Sequence, residues 1–134
     1  WASELRPGGL LLLDEVEWIH SDSDLFRRYL ALVEDMLESQ QHVLYIGARL
    51  DVAPDPPGLR RCMSEILEFP VAAQRAAAMF LQNAQVWRDH PYVREHPGLR
   101  GVDALQAELA ALRDATQPAE TIVWGLRQMI FRRV

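Results

Sequence analysis

The stretch Arg6-Pro7-Gly8-Gly9 running directly into Leu10-Leu11-Leu12-Leu13 constrains this chain more than any other segment. Proline just past a helix end, followed by glycine able to take a left-handed conformation, is a stop-and-turn signal, so Trp1 to Leu5 reads as the tail of a helix. Four consecutive leucines after such a turn are too short a run for a buried helix. They read instead as a strand covered on both faces, as in the interior of a parallel sheet. The acidic run Asp14-Glu15-Val16-Glu17-Trp18 then leaves the carboxyl end of that strand.

The rest of the chain alternates helical and extended patterns. Ser21-Asp22-Ser23-Asp24 has capping-box spacing and places acids at a helix's positive end. Leu25, Phe26, Tyr29, Leu30, Val33, Met36 and Leu37 then share one helical stripe, ended by Gln40-Gln41. Val43 to Val52 is expected to form a shorter helix, and Pro54-Asp55-Pro56-Pro57-Gly58 breaks the chain firmly. Arg60 to Phe69 reads as a strand stopped by Pro70. Ala72 to Trp87 reads as an alanine-rich helix suited to close packing, with Ala76, Met79, Phe80 and Trp87 on one side. Asp89-His90-Pro91 ends it and Pro91 to Gly101 reads as loop. Asp103 caps a third amphipathic helix carrying Leu105, Leu109 and Leu112. After Gln117-Pro118, Thr121 to Val134 is β-branched and aromatic enough for a long final strand. The expected class is therefore α/β in a single domain spanning 1–134, with three strands and a helical insert between the last two.

Composition narrows the function classes. Hydrophobic residues make up 49% of the 134 positions, enough to offset chain entropy in a folded core. A formal net charge of -5 offers no basic face to nucleic acid, and Arg127, Arg132 and Arg133 are too few to supply one. No apolar run reaches the length of a membrane span. The single cysteine, Cys62, cannot form an internal disulfide and reads as inert. Together with an opening that lacks a basic-then-apolar leader, these features point to a cytoplasmic setting. An opening on Trp-Ala-Ser-Glu also reads as the middle of a longer protein.

Leu5-Arg6-Pro7-Gly8-Gly9-Leu10-Leu11-Leu12-Leu13 closely resembles the approach to the fifth strand of class I S-adenosylmethionine-dependent methyltransferases. The order of the later elements resembles that family too, and the tail Trp124 to Arg133 looks like the end of its small-molecule members. The resemblance covers the whole chain but only the family's carboxyl-terminal half. It implies a partial Rossmann-like sheet whose last strand, Thr121 to Arg132, runs antiparallel beside Arg61 to Phe69. It also implies S-adenosylmethionine as the intact protein's cofactor. The family's Gly-x-Gly-x-Gly loop is not in this sequence, so no cofactor binding is expected of this chain by itself.

Ligands of open α/β sheets bind beyond the carboxyl ends of the parallel strands. That rule singles out Asp14, Glu15, Glu17 and Trp18 as substrate contacts and His20 as the base that a methyl transfer to a hydroxyl or amine needs. The plainer reading has Trp18 packing against the next helix and His20 as a solvated residue before the cap. Tyr92 is a further substrate contact, because in this family the region between the last two strands often forms a lid. His90 and His96 match no metal-ligand spacing. The expected partners are a small-molecule substrate and a second copy of the chain at an exposed sheet edge, with neither nucleic acid nor membrane. Two other functions fit the same elements. One is a non-enzymatic α/β interaction module. The other is the carboxyl-terminal part of a nicotinamide-dependent oxidoreductase, whose final strand would run parallel to its neighbours.

Overall fold

A computed structural model describes residues 2–95, 102–116 and 121–134. Trp1, His96 with the second half of the expected 91–101 loop, and the Gln117-Pro118 break lie outside the described residues. The elements are a 3-10 turn at Ala2–Glu4, β1 (Leu10–His20), α1 (Asp24–Ser39), α2 (Gly47–Val52), β2 (Leu59–Ala72), α3 (Ala73–Trp87), α4 (Pro91–Glu95), α5 (Val102–Arg113) and β3 (Thr121–Arg133). This is an α/β chain with an open antiparallel sheet of order β1-β3-β2. Directions follow from the pairing. Arg133 N–H donates to Gly9 O at 2.9 Å while Gln128 reaches Asp14 and Arg127 reaches Glu17, so positions on β3 fall as those on β1 rise. On the other side, Val134 N–H donates to Gly58 O at 3.1 Å and Arg127 meets Ser64, so β2 and β3 are antiparallel as well. The last strand thus lies between the other two and opposes both.

The chain divides into two compact units, one of Trp1–Ile19, Tyr45–Phe69 and Trp124–Val134, the other of His20–Leu44 and Pro70–Val123. The first is built on the sheet. Leu59, Met129 and Phe131 form its buried core, with Ala2, Leu5, Leu11, Leu13 and Leu50 packed against it. The second is helical: α3 and α5 pack together, Gln106 of α5 donates to the Ala84 carbonyl at 3.0 Å, and Ala73, Ala76, Ala77 and Ala84 of α3 are buried. Small side chains on α3 let its neighbours approach closely, as the alanine-rich sequence implies. Leu105 and Leu109 of α5 are buried in the same unit, each stabilising it by roughly 1.5–3 kcal/mol. On α1, Phe26, Tyr29, Leu30, Val33 and Met36 are buried as the stripe requires. Tyr29 stacks on Phe80 with ring centroids 4.0 Å apart, and Trp87 closes on it at 5.2 Å.

Several expectations change. β1 is not a four-residue strand covered on both faces. It continues through the acidic run to His20, its neighbour β3 is antiparallel, and Leu10 and Leu12 are 56% and 55% exposed while Leu11 and Leu13 are half-buried. That alternation belongs to a strand with one covered face. β2 does not stop at Pro70 but runs to Ala72. As an outer strand it has a side on which proline's missing N–H breaks no ladder. α2 begins at Gly47 rather than Val43, and Pro91–Glu95 is a short helix rather than loop. Asp103 sits in the first turn of α5, one residue inside it. The α1 cap is Ser23, whose N–H is taken by the Ser21 hydroxyl instead of a reciprocal capping box. Met79 faces outward at 44% exposure, off the packed side of α3. Among the described residues no helix is long and apolar enough to cross a membrane.

Candidate functional site

Because β1 extends to His20, the residues singled out from sequence sit on a strand, and period-two geometry separates them. Glu15 and Glu17 share one face, Asp14, Trp18 and His20 the other. Asp14 is exposed and its Oδ1 accepts from Gln128 Nε2 at 2.9 Å. Glu15 is half-buried. Trp18 lies across Gly125 of β3: a Cβ at residue 125 would sit 2.2 Å from Trp18 Cε2. Only glycine leaves room for the indole there, so Trp18 packs on the last strand. His20 is exposed at the end of β1 and is counted with the helical unit. Tyr92, on α4 of that unit, is half-buried and its backbone N–H donates to His90 Nδ1 at 3.2 Å.

Glu17 is the residue around which the most is built. Arg127 donates to it twice, Nε to Oε2 at 2.5 Å and Nη2 to Oε1 at 2.6 Å. Both side chains are 12% exposed. Bidentate pairing of this kind joins charge to fixed geometry. The remaining guanidinium nitrogen donates to Ser64 Oγ at 3.3 Å and lies 3.6 Å from Asp51 Oδ2. Glu17's hydrogen bonds, with the charges of Glu17 and Asp51 behind them, raise Arg127 further above its ordinary value against the opposing effect of burial. Ser64 in turn donates to Asp51 Oδ1 at 2.6 Å, and that bond, helped by Arg127 and Arg61, holds the Asp51 carboxyl below its ordinary range. Burial along β2 alternates as far as Met63 and then slips, Ser64 being half-buried as well. The slip lets Ser64 reach the same network as Arg61, which a regular strand would place on the opposite face.

Gly47 completes the arrangement from above. A Cβ there would meet Arg127 Cβ and Glu17 Cβ, each at 3.0 Å, so the start of α2 lies directly on the ion pair. The other end of α2 is held by Arg61, which donates to the carbonyls of Leu50 at 3.2 Å and Ala53 at 2.7 Å, and to that of Asp51. These are the orphan acceptors of a helix end, and a cation is the favoured donor for them. Arg61 also lies 3.5 Å from Asp55 and over the Phe131 ring, its guanidinium carbon 5.5 Å from the centroid. Charged side chains from β1, β2, β3 and α2 therefore form one continuous chain of contacts.

Sequence reasoning named Glu17 and Trp18 and missed Arg127, Ser64, Asp51 and Arg61. One signal was present: a lone arginine inside the apolar stretch Trp124 to Phe131 requires an acidic partner if the strand is covered. Chemically, each oxygen of Glu17 accepts one bond from Arg127, which fixes Glu17 and ties β1 to β3. Among the described residues no set of three or more His, Cys, Asp or Glu could hold a metal ion. No family model matches the chain, and no curated protein matches it.

Proposed function

We propose that this chain is the substrate-side part of an S-adenosylmethionine-dependent methyltransferase that transfers a methyl group to a small organic acceptor. The observation that carries this reading is the position of β3, antiparallel to both neighbours and lying between β1 and β2. A nicotinamide-dependent oxidoreductase would place a parallel strand there. A self-contained interaction module would close its sheet, whereas Leu10 and Leu12 lie open on β1. The Leu-Arg-Pro-Gly-Gly turn that feeds β1 adds to the resemblance. Fold analogy supplies the class, and the residues at the carboxyl end of β1 supply the roles. His20 takes the acceptor's proton, Trp18 walls the acceptor's site, and Asp14 and Glu15 contact the substrate, in a cytoplasmic protein. Glu17, held by Arg127, positions the strand that bears them.

The described residues do not fit the cofactor. There is no glycine-rich turn after a strand to let backbone N–H groups approach it, and Glu17 has both oxygens committed to Arg127. Calorimetric titration of the chain with S-adenosylmethionine should give no saturable heat. Tight binding would overturn the placement of the cofactor's residues outside this chain. The class itself is tested with the product of the complete reading frame and labelled S-adenosylmethionine. Transfer to small hydroxyl or amine acceptors, reduced in His20→Ala, supports it; absence of transfer to any acceptor class sinks it.

A further inference from the structure

Leu11, Leu13, Leu50, Ala53, Pro54, Pro56, Arg61, Met129 and Phe131 surround a hollow of about 210 Å³ in the sheet-based unit. The hollow is open to solvent on one side, and its apolar lining there lacks packing partners. Here two features keep it from collapsing. Its rim carries Pro54 and Pro56, whose fixed φ resists folding inward. The segment between α2 and those prolines is pinned by Arg61 to the carbonyls of Leu50, Asp51 and Ala53. The arginine acts as a strut.

We infer that this hollow is a binding site for a compact, uncharged apolar molecule, of the size of a one- or two-ring aromatic. Volume sets the upper limit, because a dry apolar cavity of about 150 Å³ takes benzene and this one is moderately larger. The lining side chains set the polarity: leucine, proline, methionine and phenylalanine offer no donor or acceptor. Arg61 is the one cation present, and it does not select an anion. Its two Nη groups are engaged by three carbonyls, and its face lies on Phe131. Its buried Nε has no hydrogen-bond partner among the described residues but faces Asp55 at 3.5 Å, and Asp51 flanks the guanidinium at 3.6 Å. A carboxylate brought to the hollow would lose water beside those two acids, whose charges oppose it at the same guanidinium. Of the β1 residues proposed above, Trp18 lies about 16 Å beyond Leu13 at strand spacing and Glu15 about 7 Å beyond it.

Methyl NMR of the whole chain with indole and with indole-3-carboxylate as probes tests the inference. Indole should shift the methyl signals of Leu11, Leu13 and Leu50 saturably. The carboxylate should bind at least roughly tenfold more weakly, since its charge must be desolvated unpaired. Ala53→Leu, which fills the hollow, should abolish the indole shifts while far-UV circular dichroism stays unchanged; Leu50→Phe serves the same purpose should Ala53→Leu fail to fold. No saturable shift with indole, equal affinity for both probes, or indole shifts that survive both filling variants would overturn it. So would burial of the same methyls by a second copy in concentrated solution.

Discussion

Glu17 and Arg127, separated by more than a hundred positions in sequence, meet across the β1–β3 pairing with both carboxylate oxygens and two guanidinium nitrogens engaged. Removing one partner leaves the other charge half-desolvated under Gly47. Glu17→Gln should lower unfolding free energy by about 1–3 kcal/mol, less than for a fully enclosed pair because Asp51 remains near Arg127. Glu17→Leu with Arg127→Met should recover most of that loss, since an apolar pair needs no desolvated charge. Chemical denaturation of the three variants measures both effects.

The Asp51 carboxyl should titrate below the ordinary aspartate value of about 3.9, with the Ser64 hydroxyl as the largest cause. Its folded value is depressed, so the stability linked to it is present above the unfolded value and disappears as pH falls through the folded one. Ser64→Ala should move the Asp51 carbon signal's midpoint upward in an NMR titration and flatten that part of the acid limb. An unchanged midpoint would remove Ser64 as the cause.

Burial pushes the Tyr29 phenol well above its ordinary value, opposed only by a long bond of 3.4 Å from Asn83 Nδ2. The neutral form is favoured in the fold, so the linked stability is complete below the unfolded value of about 10 and falls as pH rises past it. Tyr29→Phe should abolish this alkaline loss at a cost within about 1 kcal/mol, because the hydrogen bond it deletes is long. Tyr29→Ala should cost about 3–5 kcal/mol through the cavity left against Phe80 and Trp87. Thermal melts at neutral and alkaline pH separate the two substitutions.

Gly125→Ala should cost roughly 1–3 kcal/mol, because its methyl would overlap the Trp18 indole and drive it from its place. Trp18→Ala in the same background should restore tolerance of the methyl. Double-mutant coupling measured by denaturation tests this.

Association should grow with concentration through the open side of β1, where Leu10 and Leu12 are exposed. Leu12→Lys should lower it without lowering the melting temperature, as sedimentation would register.

Much of the fold could be read along the chain because its signals are local. The start of β3 at Thr121, the alanine face of α3 and the stripe of α1 all follow from spacing within one element. From sequence alone β1 reads short because Asp14, Glu15 and Glu17 look like residues leaving a sheet. They stay on it because one face is open and because Arg127 meets Glu17, a fact about position 127 and not about the strand's neighbours in sequence. Pro70 misled in the opposite way: it signals a strand's end unless the strand is outermost, and outermost is a property of the whole sheet. The candidate site was half legible for the same reason. Its β1 members lie within the single stretch Asp14 to His20, while Asp51, Ser64 and Arg127 come from three other elements.

Helix α2 has a consequence in time. Six residues cannot hold a helix by themselves, since nucleation costs more than so few bonds return. Its first turn rests on Arg127 of β3 and its last carbonyls wait for Arg61 of β2. During synthesis the segment emerges about ten residues before Arg61 but more than seventy before Arg127, so its first turn lacks its support until β3 has left the ribosome and docked. The hollow it roofs is therefore among the final features of the molecule to exist, and a translation product stopped short of residue 127 would never form it.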